Sequence, residues 1–152
     1  MKPLAPKEIL QQLSGLLTGH WITDLANTAA LIFQHVQDVN WVGFYLYESE
    51  SENILWLGPF QGLPACTMIP AGKGVCGTAA AAGKSIIVED VDAFTGHIAC
   101  DARSRSEVVI PLIKNEKVLG VLDVDSATLA RFKLQDQVFF EDLIQMLLHA
   151  NK

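Results

Sequence analysis

The apolar side chains of this chain change their period near Asn40, from helical spacing to strict alternation, and return to helical spacing near Leu134. That pair of switches constrains the fold more than any other feature, because a helix and a strand expose different faces for the same pattern. Over residues 7–37, Ile9, Leu10, Leu13, Leu16 and Leu17 form one stripe, and after Gly19 a second stripe holds Ile22, Leu25, Ala26, Ala29, Phe33 and Val36. From Asn40, Val42, Phe44 and Leu46 point one way while Trp41, Tyr45 and Tyr47 point the other. One face of that strand is apolar and the other is aromatic with polar tips. Residues 53–57 read as its hairpin partner across a solvated turn at 48–52, and residues 58–66 are too rich in Pro and Gly for regular structure. A glycine loop over 72–78 opens a short helix at 79–82 that Gly83 closes. Residues 85–88 read as a strand, 89–105 as an unusually long loop, 107–113 and 117–125 as two strands around Asn115-Glu116, and 134–149 as a helix. The stripe of that last helix is Phe140, Leu143, Ile144 and Leu147. Helices, then a hairpin-connected sheet, then a helix make an α+β fold whose terminal helices cover one sheet face and leave the other for a pocket. With no internal repeat and no linker, residues 1–152 read as a single domain.

The whole-chain quantities narrow the function. A length of 152 residues is enough to bury roughly two-thirds of the unfolded chain's surface. A net charge of -6 with no basic stripe argues against nucleic acid, whose phosphates demand Lys and Arg. No apolar run approaches the ~20 residues of a membrane span, and the N-terminal segment carries no secretory signal. The expected compartment is the cytoplasm, where thiols stay reduced or cycle.

Thiols are the chemistry to weigh first. Cys66, Cys76 and Cys100 are an odd number at wide spacing, which suits neither a disulfide scaffold nor the close pairs of a zinc site. Each alone reads equally well as a small buried hydrophobe. Cys100 has the most activating neighbours, with His97 before it and Asp101, Arg103 and Arg105 after it. Alternation in the last strand sends Asp123 and Asp125 out of one face, roughly 7 Å apart, and Glu107 at the start of the neighbouring strand can join them. Carboxylates on an apolar sheet are costly unless a cation or hydrogen-bond donors meet them. Beside Trp41 and Tyr45 they suit a small, partly apolar molecule bearing an amine, and proximity raises the proton affinity of one acid enough for it to act as a proton donor. The glycine loop lacks the spacing of a nucleotide loop, so it reads as a packing turn or a helix N-terminus able to hold a carboxylate. His20, His35 and His149 read as surface or helix-terminal histidines.

Five ordered motifs, Gly58-Pro59-Phe60-Gln61-Gly62, Gly72-Lys73-Gly74-Val75-Cys76-Gly77-Thr78, Gly96-His97-Ile98-Ala99-Cys100-Asp101, Ser104-Arg105-Ser106-Glu107 and Leu122-Asp123-Val124-Asp125-Ser126, resemble the free methionine-(R)-sulfoxide reductase family, which is built on the GAF domain. The resemblance implies a six-stranded antiparallel sheet with the N- and C-terminal helices on one face, a ligand pocket on the other, and a homodimer. It further implies Cys100 as nucleophile, Cys66 as resolving thiol and Cys76 as an auxiliary cysteine. Glu107, Asp123 and Asp125 would hold free methionine-R-sulfoxide, with Trp41 at its methyl end and Tyr45 beside it. Asp125 would be the acid, thioredoxin the reductant, and no metal or organic cofactor would be required. Two readings of other classes share these features: a non-catalytic GAF module that signals on binding a ligand, and a thiol switch whose disulfide is the message. Only the reductase predicts turnover.

Overall fold

The computed structural model describes residues 3–49, 51, 53–98 and 100–152, so part of the turn expected at 48–52 lies outside the described residues. Helix α1 spans Pro6–Leu16 and starts on a proline, whose missing N–H costs nothing in a first turn. Gly19, at φ +83°, turns the chain into α2 at Trp21–His35. Strands β1 (Trp41–Tyr47) and β2 (Ile54–Gln61) form a hairpin, β3 is Met68–Pro70, α3 is Gly74–Ala82 and β4 is Ile86–Val88. A 3-10 turn at Val91–Ala93 opens the long loop, and β5 (Ser106–Lys114), β6 (Lys117–Ser126) and α4 (Leu134–Ala150) complete the order. The sheet has six strands in the order β3-β2-β1-β6-β5-β4, each pair antiparallel.

Each sheet face has its own core. Val42 and Phe44 of β1, Val108, Ile110 and Leu112 of β5, and Leu122 and Val124 of β6 pack against buried residues of α1, α2 and α4, including Phe140, Leu143, Ile144 and Leu147. The alternate residues, Trp41, Tyr45, Val109 and Val121, pack against Val75, Cys76, Ala79 and Ala80 of α3. Period-two alternation therefore assigns the faces as expected from the sequence. Gly83 closes α3 in the left-handed conformation, as its position in the sequence suggests.

Three expectations need correction. Residues 58–66 are not wholly irregular, since β2 continues through Gly58, Pro59 and Phe60 to Gln61. The register shifts there, with Gly43 opposite Phe60 and Tyr45 opposite Leu57, so Gly58-Pro59 forms a bulge. β3 pairs only with residues 54–56 of β2, which leaves the proline on an edge where no ladder donor is missed. The stripe of α2 is also rotated from the expected one. Ile22 is 55% exposed and Phe33 37%, while Asp24, Leu25, Thr28, Ala29, Leu31, Ile32 and His35 are buried. Helix α3 begins at Gly74 rather than at 79, so most of the glycine loop expected over 72–78 is helix.

Asp24 explains the rotation. Its Oδ1 accepts from the Thr18 amide at 2.8 Å and the Thr18 hydroxyl at 2.7 Å, and its Oδ2 from the Gly19 amide and Asn151 Nδ2, both at 2.9 Å. One carboxylate thus ties the α1–α2 connection to the end of α4, and four donors meeting a charge compensate its burial. Burial alone would raise this acid, but the donors outweigh it and hold its pKa at about 2. A depressed pKa means that the unfolded chain takes up the proton first, so this contribution is present above the ordinary value of 3.8 and disappears as the pH falls towards 2. Asp24→Asn should lower stability at pH 7 by about 1–3 kcal/mol, and the deficit should shrink on acidification through that interval. Denaturant unfolding of both proteins at several pH values checks it.

Candidate functional site

Sheet register brings the three acids together. Asp125 of β6 lies between Trp41 of β1 and Glu107 of β5, and Asp123 lies between Gly43 of β1 and Val109 of β5. The acids therefore occupy the α3 side of the central strands. Glu107 and Asp123 are each 6% exposed. Asp123 Oδ1 and Asp125 Oδ1 are buried and have no hydrogen-bond partner among the described residues. From α3, Cys76 directs its Sγ to Glu107 Oε1 at 3.9 Å, and from the long loop His97 Nε2 lies 3.8 Å from Glu107 Oε2.

These surroundings favour protons on the acids. Burial raises Asp123 well above the usual carboxylate range, and the charges of Asp125 and Glu107 add to the effect. Burial and then Glu107 raise Asp125 in the same way, and burial raises Glu107. Burial, followed by the charges of Asp123, Glu107 and Asp125, pushes the Cys76 thiol up. A cavity so lined favours a guest with a positive charge, beside which the carboxyls would ionise.

An aromatic wall stands beside the acids. The Trp41 ring stacks on Phe60 with centroids 5.5 Å apart and on Tyr45 at 6.0 Å. Gly43 makes this possible, because a Cβ there would run into the indole ring and Phe60. Trp41 Nε1 donates to the Leu63 carbonyl at 3.0 Å, and Tyr45 Oη donates to the Cys66 carbonyl at 2.9 Å. Burial, with a further contribution from Asp123, raises the Tyr45 hydroxyl far above its ordinary range and keeps it a donor. The two rings thus anchor the segment that carries Cys66.

Cys66 and Cys100 form a disulfide with Cα atoms 5.4 Å apart, joining that segment to the 89–105 loop, and Cys76 is a free, buried thiol. Cys100 lines the same cavity as Trp41, Tyr45, Glu107, Asp123 and Asp125. With the disulfide closed the cavity measures about 30 Å³, room for water-sized occupants, whereas pockets for drug-sized ligands run to about 300–1,000 Å³.

The basic residues flanking Cys100 behave differently from the expectation. Arg103 donates to both oxygens of Asp101, at 3.2 Å from Nε and 2.9 Å from Nη2, and this pairing pulls the Asp101 carboxyl below its usual range. Arg105 is exposed, and His97 faces Glu107. The Asp101 carboxylate takes up the Arg103 guanidinium, a stronger partner than a thiol. Several contributors escaped the sequence reading. Asn40 Nδ2 donates at 3.2 Å to Asp101 Oδ2 and to Ser104 Oγ, which pins the far end of the loop. Phe60 backs the indole; the sequence offered it as a member of the Gly58-Pro59-Phe60-Gln61-Gly62 motif, without a role. Lys73, Gly74 and Val75 line the cavity, so the first turn of α3 faces it, in keeping with the reading of the 72–78 segment as a helix N-terminus.

Comparison with known proteins agrees with this architecture. The GAF domain family model matches residues 22–146. The chain is 44% identical to the free methionine-R-sulfoxide reductase of Escherichia coli over 142 residues, covering 92% of this chain and 84% of that one. It is also 44% identical to the Saccharomyces cerevisiae enzyme of that name, covering 95% and 86%. The X-ray structure of free methionine-R-sulfoxide reductase from Neisseria meningitidis in complex with its substrate superposes with a TM-score of 0.92 at 42% identity, covering 96% of this chain and 87% of that one. The curled six-stranded sheet, the pocket opposite the terminal helices and these similarities together make the chain a member of the GAF-domain family of free methionine-R-sulfoxide reductases.

Proposed function

We propose that this protein reduces free methionine-R-sulfoxide to methionine with Cys100 as nucleophile and Cys66 as resolving thiol. The observation that carries the reading is the Cys66–Cys100 disulfide over a cavity lined by three acids and an aromatic wall. The ammonium of a free amino acid neutralises Glu107 and Asp123, a charge that a peptide-bound residue lacks. Trp41 and Tyr45 receive the methyl end, and the first turn of α3 faces the carboxylate.

The Cys100 thiolate attacks the electrophilic sulfoxide sulfur while Asp125, protonated in its buried setting, donates a proton to the oxygen. Oxygen passes to Cys100, leaving methionine and a sulfenic acid. The Cys66 thiol condenses with that sulfenic acid, water leaves, and a disulfide remains. The two thiols supply both electrons, so the balance closes on cysteine chemistry alone. A dithiol of the thioredoxin type restores them by exchange. The small volume of the cavity while the disulfide is formed supports an order of events in which reduction of the disulfide precedes entry of the next substrate. Such a cycle suits the cytoplasm, where thioredoxin is kept reduced, and a supply of oxidised methionine suits oxidative stress. No helix is long and apolar enough to cross a membrane among the described residues. The homodimer belongs to this proposal too, and exposed Ile22, Leu134 and Val138 are apolar side chains available to it.

Three outcomes are expected. With thioredoxin, thioredoxin reductase and NADPH, free methionine-R-sulfoxide should drive NADPH loss that Cys100→Ser abolishes, and Asp125→Asn should slow it by about 10²–10⁴-fold with the fold intact. Mass mapping after one turnover should find Cys66 bridged to Cys100, and a Cys76–Cys100 bridge would remove Cys66 from its role. The third concerns the cost of the acids. Because the folded pKa of Asp123 lies above 3.8, the folded protein holds protons that the unfolded chain releases, and stability falls as the pH rises through that interval. Asp123→Asn should therefore melt higher than the wild type at pH 8 and lose that advantage on acidification towards pH 4. Calorimetry across the range measures the difference, and a variant less stable at every pH would contradict it.

A further inference from the structure

Cys76 is the reactive side chain in the pocket to which the proposed chemistry assigns no step. It is 4% exposed, rooted in the first turn of α3, and its Sγ meets the carboxylates of Glu107 and Asp123 with all three donor atoms within 4.8 Å of one another. An ammonium guest has no use for that sulfur. We infer that the floor of the pocket is also a binding site for a thiophilic divalent cation of the zinc type, held by Cys76, Glu107 and Asp123.

The donor set has the right chemistry. One sulfur and two carboxylate oxygens are ligands for a borderline-soft ion, whereas magnesium and calcium take oxygen alone. Tetrahedral zinc with bonds of about 2.0–2.3 Å needs donors roughly 3.3–3.8 Å apart, so the observed cluster closes around an ion with small side-chain rotations. Asp123 is more than nine-tenths buried and lines the cavity, and its Oδ1 has no hydrogen-bond partner among the described residues. The donors sit on α3, β5 and β6, which fixes them on helix and sheet rather than on the loop. His97, with its side chain 16% exposed, lies 3.8 Å from Glu107 on the loop side of the cluster, and the fourth position is left to water. A cavity of about 30 Å³ accepts an ion even while the disulfide is closed. On binding, the thiol of Cys76 gives up its proton to solvent and the sulfur bonds to the metal.

The ion would occupy the place of the ammonium, so it would compete with the substrate. That consequence rests on the proposed reductase reading, while the binding itself does not. The two are separated by working with the oxidised protein, in which Cys66 and Cys100 are locked together and Cys76 is the remaining thiol. Titration with Co2+ should give a saturable thiolate-to-cobalt charge-transfer band that Zn2+ displaces. The band should vanish in Cys76→Ser and weaken in Asp123→Asn, each checked for fold by circular dichroism. No band in the wild type, or a wild-type band retained in Cys76→Ser, would overturn the site. In single turnovers of the reduced enzyme, Zn2+ should slow methionine formation and excess methionine sulfoxide should restore it; no slowing would overturn the competition. A protein that binds Co2+ in this way yet reduces no sulfoxide would sink the reductase reading and leave the metal site standing.

Discussion

Mutual repulsion and desolvation of Glu107, Asp123 and Asp125 on one sheet face is the constraint around which this molecule is organised. Backbone register makes the crowding unavoidable, because antiparallel pairing sets Glu107 directly opposite Asp125, and the two-residue period sets Asp123 on the same face. An acid cluster of this kind destabilises the empty protein, and burial drives its members to hold protons. The same conditions favour a cationic guest, which relieves them by pairing with the ionised acids. Affinity and the cost of the empty site have one origin.

That cost is borne by the opposite face. The packing of α1, α2 and α4 on the sheet includes Phe44, Phe132, Phe140, Leu143 and Leu147 at or near complete burial. Each fully buried side chain of this kind contributes about 1.5–3 kcal/mol, which leaves the pocket face free to be polar and tense. Asp24, a buried carboxylate on the helix side, is treated in the opposite way. Four donors surround it and hold its pKa down, while burial and neighbouring charges push the pocket acids up. Hydrogen-bond donors lower a buried acid, whereas desolvation and like charges raise it.

Much of the site was legible before any coordinates. Strict alternation over 117–125 placed both aspartates on one face, and alternation over 41–47 placed Trp41 and Tyr45 together on the same side of the sheet. Misreadings have local causes. Pro59 suggested a break, yet it sits in a bulge on an edge, where a missing amide is harmless. The α2 stripe was drawn through Ile22 and Phe33, because a buried Asp24 with its partners on another segment leaves no hydrophobic signature. Arg103 near Cys100 suggested activation of the thiol, and the guanidinium instead turns back onto Asp101, two residues away.

By itself, the sequence determined the two hydrophobic periods, the faces of the strands, the acids at 107, 123 and 125 and the five motifs of the family, since all of these are properties of local order along the chain. Tertiary structure decided which thiol meets which. Cys66 and Cys100 are 34 residues apart in sequence, and no spacing rule could choose between Cys66 and Cys76 as partner. Folding of the 89–105 loop onto the segment after β2 made that choice, while the anchoring of α3 against β5 and β6 turned Cys76 towards the acids. Contacts of this range depend on how strands and loops stack in space, and that information is carried by the packing as a whole.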